Sequence, residues 1–164
     1  MHMSKLFESF AIGDLVIKNR FVRSPTTSYW SDEGGILRDP ILEYYEKLAK
    51  GGVGLIIKGH SYVSEKGKAH NCQSGLSSEK HIPRMKELTD LVHSHDSKII
   101  AQLNHAGMTG VNDRATASKY STEKWEAREL SLEDLTEIIH DFGIAAKNAI
   151  TAGFDGVQIH GAHG

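Results

Sequence analysis

The chain of 164 residues contains one cysteine, Cys72, so it can form no intramolecular disulfide and offers no cysteine set for a zinc site. Charge of neither sign dominates: 19 Lys and Arg stand against 21 Asp and Glu, a formal net charge of −2. That balance argues against a general electrostatic partner, whether nucleic acid or an anionic membrane. No apolar run approaches the roughly 18 residues of a membrane span. The opening MHMSKLFESF lacks the plan of a signal peptide, and Met1-His2-Met3 reads as a cloning remnant. These absences point to a soluble cytoplasmic protein whose partner is a small-molecule substrate. What stands out instead is histidine, with ten residues. The length suffices for one domain with a sizeable core.

Periodicity and punctuation alternate between strand and helix. LFESFAIGDLVIKNR (6–20) reads as a hairpin turning at Gly13-Asp14. FVRSP (21–25) is a short strand ended by Pro25. Residues 39–52 form a helix with Asp39 as N-cap, Pro40 in the first turn and Gly51 or Gly52 as the stop. GLIIKGHSYV (54–63) starts apolar and ends polar, as a buried parallel strand does. A second helix spans 79–96, with Ile82, Met85, Leu88, Leu91 and Val92 at helical spacing, and KIIAQLNHAG (98–107) is a third strand. Residues 108–130 show no clear period and read as a functional loop. A long helix covers 131–154, opened by a capping box of Ser131 and Asp134, and GVQIHGAHG (156–164) is the fourth strand.

Such alternation implies a parallel sheet covered by helices. No G-x-G-x-x-G opens a helix, which weakens a dinucleotide-binding sheet against a (β/α)8 barrel. Every strand ends in polar, small or histidine-rich residues: SPTTSY, KGHSY, QLNHAG and HGAHG. In a barrel these ends meet at one mouth, where the active site lies. Gln102 offers an amide suited to the edge of a flat heterocycle, or it simply caps its strand. Ser24, Thr26 and Thr27 supply hydroxyls beyond Pro25, or form an ordinary turn. Tyr29 and Trp30 wall a pocket or pack. His60 and His105 read as packed or locally bonded. His160 and His163, three apart, would face opposite sides of a regular strand; a bend at Gly161 or Gly164 would bring them together. They then form a donor pair for an electronegative atom, part of a metal site, or a structural pair.

In this order and spacing, KNRFVRSPTTSY, GGVGLIIKGHSYV, IIAQLNHAG and GFDGVQIHGAHG resemble the old yellow enzyme family, the FMN-dependent NADH:flavin oxidoreductases and ene-reductases. The resemblance spans nearly the whole chain and is nearest to the bacterial branch with the 2,4-dienoyl-CoA reductases and small ene-reductases. It implies an α/β fold: the N-terminal half of a (β/α)8 barrel, residues 1–164, preceded by a β-hairpin. It implies FMN as cofactor, NADH or NADPH as reductant, and hydride transfer through the flavin to an activated alkene or other acceptor. It further implies that Ser24, Pro25, Thr26, Thr27, Gly59, His60 and Gln102 contact the flavin. His160 and His163 would hold the substrate carbonyl, and Tyr29 would line the substrate pocket. Thr27 stands where small ene-reductases often carry a flavin-tuning cysteine, and His60 replaces a usual small residue. The family's tyrosine after HGAHG and its phosphate-binding strands have no counterpart in the sequence. Open sheet edges on such a half invite pairing, so a homo-oligomer is expected. A non-catalytic assembly module and a metal-dependent barrel hydrolase using His160 and His163 are the competing readings.

Overall fold

A computed structural model of the protein describes residues 4–163. The chain opens with a hairpin of β1 (Phe10–Ile12) and β2 (Leu15–Ile17), whose turn puts Gly13 at φ +58°. Its exit is tied to the N-terminal end of the main sheet: Lys18 Nζ donates to the His95 carbonyl at 2.6 Å, and Asn19 Nδ2 to the Gly52 carbonyl at 2.7 Å. There follow β3 (Val22–Arg23), α1 (Asp39–Lys50), β4 (Leu55–Tyr62), β5 (Ser74–Gly75), α2 (Ile82–His93) and β6 (Lys98–Asn104). Three short strands, β7 (Ala115–Thr116), β8 (Tyr120–Ser121) and β9 (Glu126–Glu129), precede α3 (Leu132–Thr151) and β10 (Val157–Ile159).

The main sheet has the order β10-β6-β4-β3, all parallel, with β5 added beside the C-terminal end of β4. Spatial order therefore follows chain order, the arrangement of consecutive βα units in a barrel wall. Side chains alternate across each strand. Ile56, Ile99, Ala101 and Leu103 face the helices and pack with Ile41 and Tyr45 of α1, Met85, Leu88 and Val92 of α2, and Ala145 and Ala149 of α3. The opposite face carries Ile57, Ile100, Gln102 and Gln158, and this is the face a barrel would enclose. Asp155 locks the turn into β10: it accepts from Ile99 N at 2.8 Å and His93 Nε2 at 2.7 Å, and pairs with Lys98 at 3.1 Å.

Several sequence expectations need correction. The N-cap of α1 is Arg38, without a side-chain bond, and Asp39 is the first helical residue; its carboxylate is drawn away to Arg84, 2.6 Å distant. Residues 108–130 are not an irregular loop, because they hold a 3-10 turn ending at Thr109 and all of β7, β8 and β9. Strands of two to four residues are too short to display a period. The fourth strand is three residues, not nine, and the first is two. The helix expected from residue 79 opens as a 3-10 turn, Glu79–His81, before α2 begins. The capping box of Ser131 and Asp134 is present, with Asp134 N donating to Ser131 Oγ at 3.1 Å.

One buried group has no counterpart in the sequence reading. Lys58 shares the helix-facing side of β4 with Ile56 and is 1% exposed. Its Nζ donates to Gly59 O at 3.1 Å, Ser61 Oγ at 3.0 Å and Ser74 Oγ at 2.6 Å, with no carboxylate among these partners. Burial pushes its pKa down from 10.5 to about 7. The parallel register of β4 against β6 shifts between Lys58 and Ser61, so the lysine anchors a bulge whose interior residues are Gly59 and His60.

Candidate active site

The C-terminal ends of β3, β4, β6 and β10 converge as the barrel reading expects. Gln102 pairs in register with Gln158, and Gln102 Nε2 donates to Gln158 Oε1 at 2.8 Å. His160 lies two residues beyond Gln158, and its backbone N–H donates to Leu103 O at 2.9 Å, so it extends the same ladder. Gln102 and the terminal imidazoles therefore share one mouth. A cleft of about 190 Å3 there is lined by Thr27, Tyr29, His60, His70, Asn104, Thr109, His160 and His163 among others. An adjoining aromatic cleft of about 270 Å3 shares Thr27 and Tyr29, and adds Thr26, Ser28, Trp30, Tyr44 and Tyr45. A larger concavity around Arg114 and Arg128 lies in the β7–β9 region and includes none of these strand-end residues.

The tip of β3 is fixed from below. Arg23 donates to Ser24 O and Thr26 Oγ1, both at 2.6 Å, and to Tyr44 Oη on α1 at 2.8 Å. Gly59 is buried, and a Cβ on it would run into the Thr26 carbonyl, so the β3 tip and the β4 bulge touch through backbone. Ser24, Thr26 and Thr27 are exposed and Pro25 is half-buried at this tip. Tyr29, 66% exposed, lies against His70 with ring centroids 4.4 Å apart. His105 bonds locally, accepting from Gly107 N at 3.2 Å.

His60 is embedded rather than simply packed. Its Nε2 meets Thr27 Oγ1 at 2.9 Å and its Nδ1 meets Gln73 Nε2 at 2.6 Å. Its ring stacks on His160, 5.9 Å away at 18°. Burial, then the neighbouring Lys58, His70 and His160, push its pKa down to about 4. Burial and His163 also lower His160, and burial and Lys68 lower His70. Neutral imidazoles of this kind donate from one nitrogen and accept at the other. Both ring nitrogens of His70 are buried without a partner among the described residues, a donor and an acceptor left for a group entering the cleft.

The histidine pair is brought together, though by a different device from the one expected. Gly161 does not take a left-handed conformation, and Gly164 lies outside the described residues. His163 itself turns the chain, at φ +69°. Its Nδ1 faces His160 Nε2 at 3.4 Å, so the two rings bond each other weakly instead of both pointing at one external atom. The metal reading gains no support: among the described residues no group of three or more His, Cys, Asp or Glu is arranged to hold an ion. Sequence reasoning missed Gln73, His70, Gln158 and Lys58. Only Gln158 carried a local signal, as the one polar residue amid the apolar positions of its strand.

The donors at this mouth, a hydroxyl, a primary amide and neutral imidazoles, suit the polar edge of a flat ring. Among the described residues, no cationic side chain lines either cleft to meet a phosphate. The chain is 37% identical to an NADPH dehydrogenase of Listeria welshimeri, over 99% of its own length and 49% of the relative's. It is 37% identical to an NADH oxidase of Thermoanaerobacter brockii, covering 26% of that protein. Its fold superposes on an old yellow enzyme homologue from Zymomonas mobilis with TM-score 0.85 at 27% identity, over 96% of this chain and 48% of that one. The old yellow enzyme from a Pichia species gives TM-score 0.89 at 27% identity, over 98% and 46%. The chain thus spans half or less of the length of these relatives, and its fold is half of their (β/α)8 barrel. Residues 5–164 match the NADH:flavin oxidoreductase / NADH oxidase family, whose cofactor is FMN, and the chain belongs to that family.

Proposed function

We propose that the protein is an FMN-dependent oxidoreductase that passes hydride from NADH or NADPH to an activated alkene or another small-molecule acceptor. The observation that carries this reading is the shared mouth: Gln102, the Thr27–His60 pair and His160 lie at adjacent strand ends of a chain that belongs to a flavin family. When bound, FMN would supply the two-electron chemistry that connects nicotinamide and acceptor. The protein's own groups would do the rest. Gln102 keeps its carbonyl and one N–H free of Gln158 and would bond the ring's polar edge. Ser24, Pro25, Thr26, Thr27, Gly59 and His60 would frame the ring from the tips of β3 and β4. Tyr29 would wall the acceptor side. His160 and His163 would each turn an N–H onto the acceptor's oxygen, once the exposed His163 ring leaves its partner. Donors that meet charge developing in the transition state are worth roughly 3–4 kcal/mol.

The test is a His160→Ala, His163→Ala variant of the FMN-loaded enzyme. Enone reduction should fall by about 10²–10³-fold, while the flavin absorbance per protein stays constant. Loss of flavin instead would reassign the histidines to cofactor binding.

We further propose that the chain acts as the N-terminal half of a barrel and self-associates through its edges. β3 and β10 border the main sheet, Leu132, Ile139 and Ile150 of α3 are 78%, 74% and 69% exposed, and Val157 and Ile159 of β10 are exposed as well. Sedimentation should then report a dimer or larger. A cytoplasmic site of action follows from the reductant, since NAD(P)H is supplied there; among the described residues no helix is long and apolar enough to cross a membrane.

A further inference from the structure

Gln73 sits in the segment between β4 and β5, is 1% exposed, and belongs to none of the motifs that carry the family resemblance. Its side-chain amide is held at three points. Oε1 accepts from the backbone N–H of Ala69 at 2.6 Å. Nε2 donates to Asn104 Oδ1 at 3.0 Å and to His60 Nδ1 at 2.6 Å. The first of these fixes the other two. A backbone N–H cannot reverse its polarity, so flipping the amide would set two donors face to face at Ala69. Gln73 must therefore present hydrogens, not a lone pair, toward His60.

The consequence runs along a chain of groups. With a donor against it, His60 Nδ1 can only accept, so the ring's proton sits on Nε2. That proton points at Thr27 Oγ1, 2.9 Å away, and the threonine oxygen is the acceptor. The hydroxyl's own hydrogen is then directed elsewhere, and Thr27 borders both clefts.

We propose that Gln73 is a positioning residue: it locks His60 in the neutral Nε2–H form and thereby turns the Thr27 hydroxyl hydrogen away from His60, leaving it to donate to the group that occupies the cleft. Gln73 touches neither cofactor nor substrate and acts only through His60. A donor held in one direction by a buried amide costs no reorganisation when electrons arrive on the ring beside it. That last step rests on the flavin reading; the tautomer does not.

Long-range 1H–15N spectra of the ring-labelled protein read the tautomer directly, with the His60 signals identified by their loss in His60→Gln. The wild type should show Nδ1 unprotonated and Nε2 protonated, unchanged from pH 6 to pH 8. A proton on Nδ1 overturns the proposal without any variant being needed. Gln73→Glu, which replaces the donor with an acceptor, should move a proton onto Nδ1; an unchanged His60 signal overturns the lock. In the FMN-loaded protein the midpoint potential should fall in Thr27→Val and be retained in Thr27→Ser. Bound flavin with an unmoved potential in Thr27→Val overturns the outward donor. Failure to bind flavin with the expected tautomer intact would sink the flavin reading while supporting the lock.

Discussion

Replacing Lys58 by Met should stabilise the protein near neutral pH and flatten its pH dependence. The ammonium is 1% exposed and is met by a carbonyl and two hydroxyls, with no anion among its hydrogen-bond partners. Burial lowers its pKa from 10.5 to about 7. Between those values the unfolded chain holds a proton that the folded chain has released. Stability therefore rises with pH across that window and levels off below it. Each pH unit is worth about 1.4 kcal/mol, so from pH 7 to pH 8.5 the gain is about 2 kcal/mol. Lys58→Met removes the titrating group. Ser61 and Ser74 still bond each other at 3.1 Å, while the Gly59 carbonyl loses one partner. The variant should gain about 1–3 kcal/mol at pH 7, as apolar replacement of a buried charge often does. Urea unfolding of both proteins at half-unit steps from pH 7 to pH 9 measures both effects. A wild type whose stability is flat over this range, or a variant that keeps the slope, would refute the assignment of an uncompensated buried amine.

Further outcomes follow from other contacts. Gly59→Ala forces a Cβ into the Thr26 carbonyl and should cost more than about 2 kcal/mol by thermal or urea unfolding, because the obstacle is backbone that cannot rotate away. Asp155→Ala should cost about 2–3 kcal/mol, since it orphans Ile99 N and His93 while freeing Lys98. Burial alone would raise the Asp155 pKa, but His93, the Ile99 N–H and Lys98 together hold it below 3.8. Its contribution is present above that value and is lost as acid protonates it, so the variant's acid-unfolding curve should lack that component. Ser131→Ala removes the cap of α3 and should cost about 1 kcal/mol, seen as a lower unfolding midpoint.

Much of this architecture was readable in the chain because the physics that builds it is local and periodic. The faces of α1 and α2 follow from Ile41, Tyr45, Met85, Leu88 and Val92, and the cap of α3 from Ser131 and Asp134. The parallel strands follow from apolar runs that end in polar tips. Where the pattern was too short to repeat, as in β7 to β9, or where another residue outcompeted a local preference, as Arg84 does for Asp39, the reading failed. The site divided in the same way. Gln102, His60 and the two terminal histidines lie on strand ends whose order places them. Gln73 and Lys58 acquire meaning only through groups distant in the chain, Asn104 and Ser74, and a lysine is ordinarily expected at the surface. Left-handed backbone favours glycine, so the sequence points to Gly161 or Gly164 for the bend, yet His163 takes that conformation.

Whether the strand tips gather around one flavin ring is decided by titrating 15N-labelled protein with FMN. Saturable shifts are expected at the backbone amides of Thr27 and His60, the side-chain amide of Gln102 and the imidazole of His160. Saturable binding that leaves those four signals in place, or no shift at millimolar FMN, would contradict that arrangement.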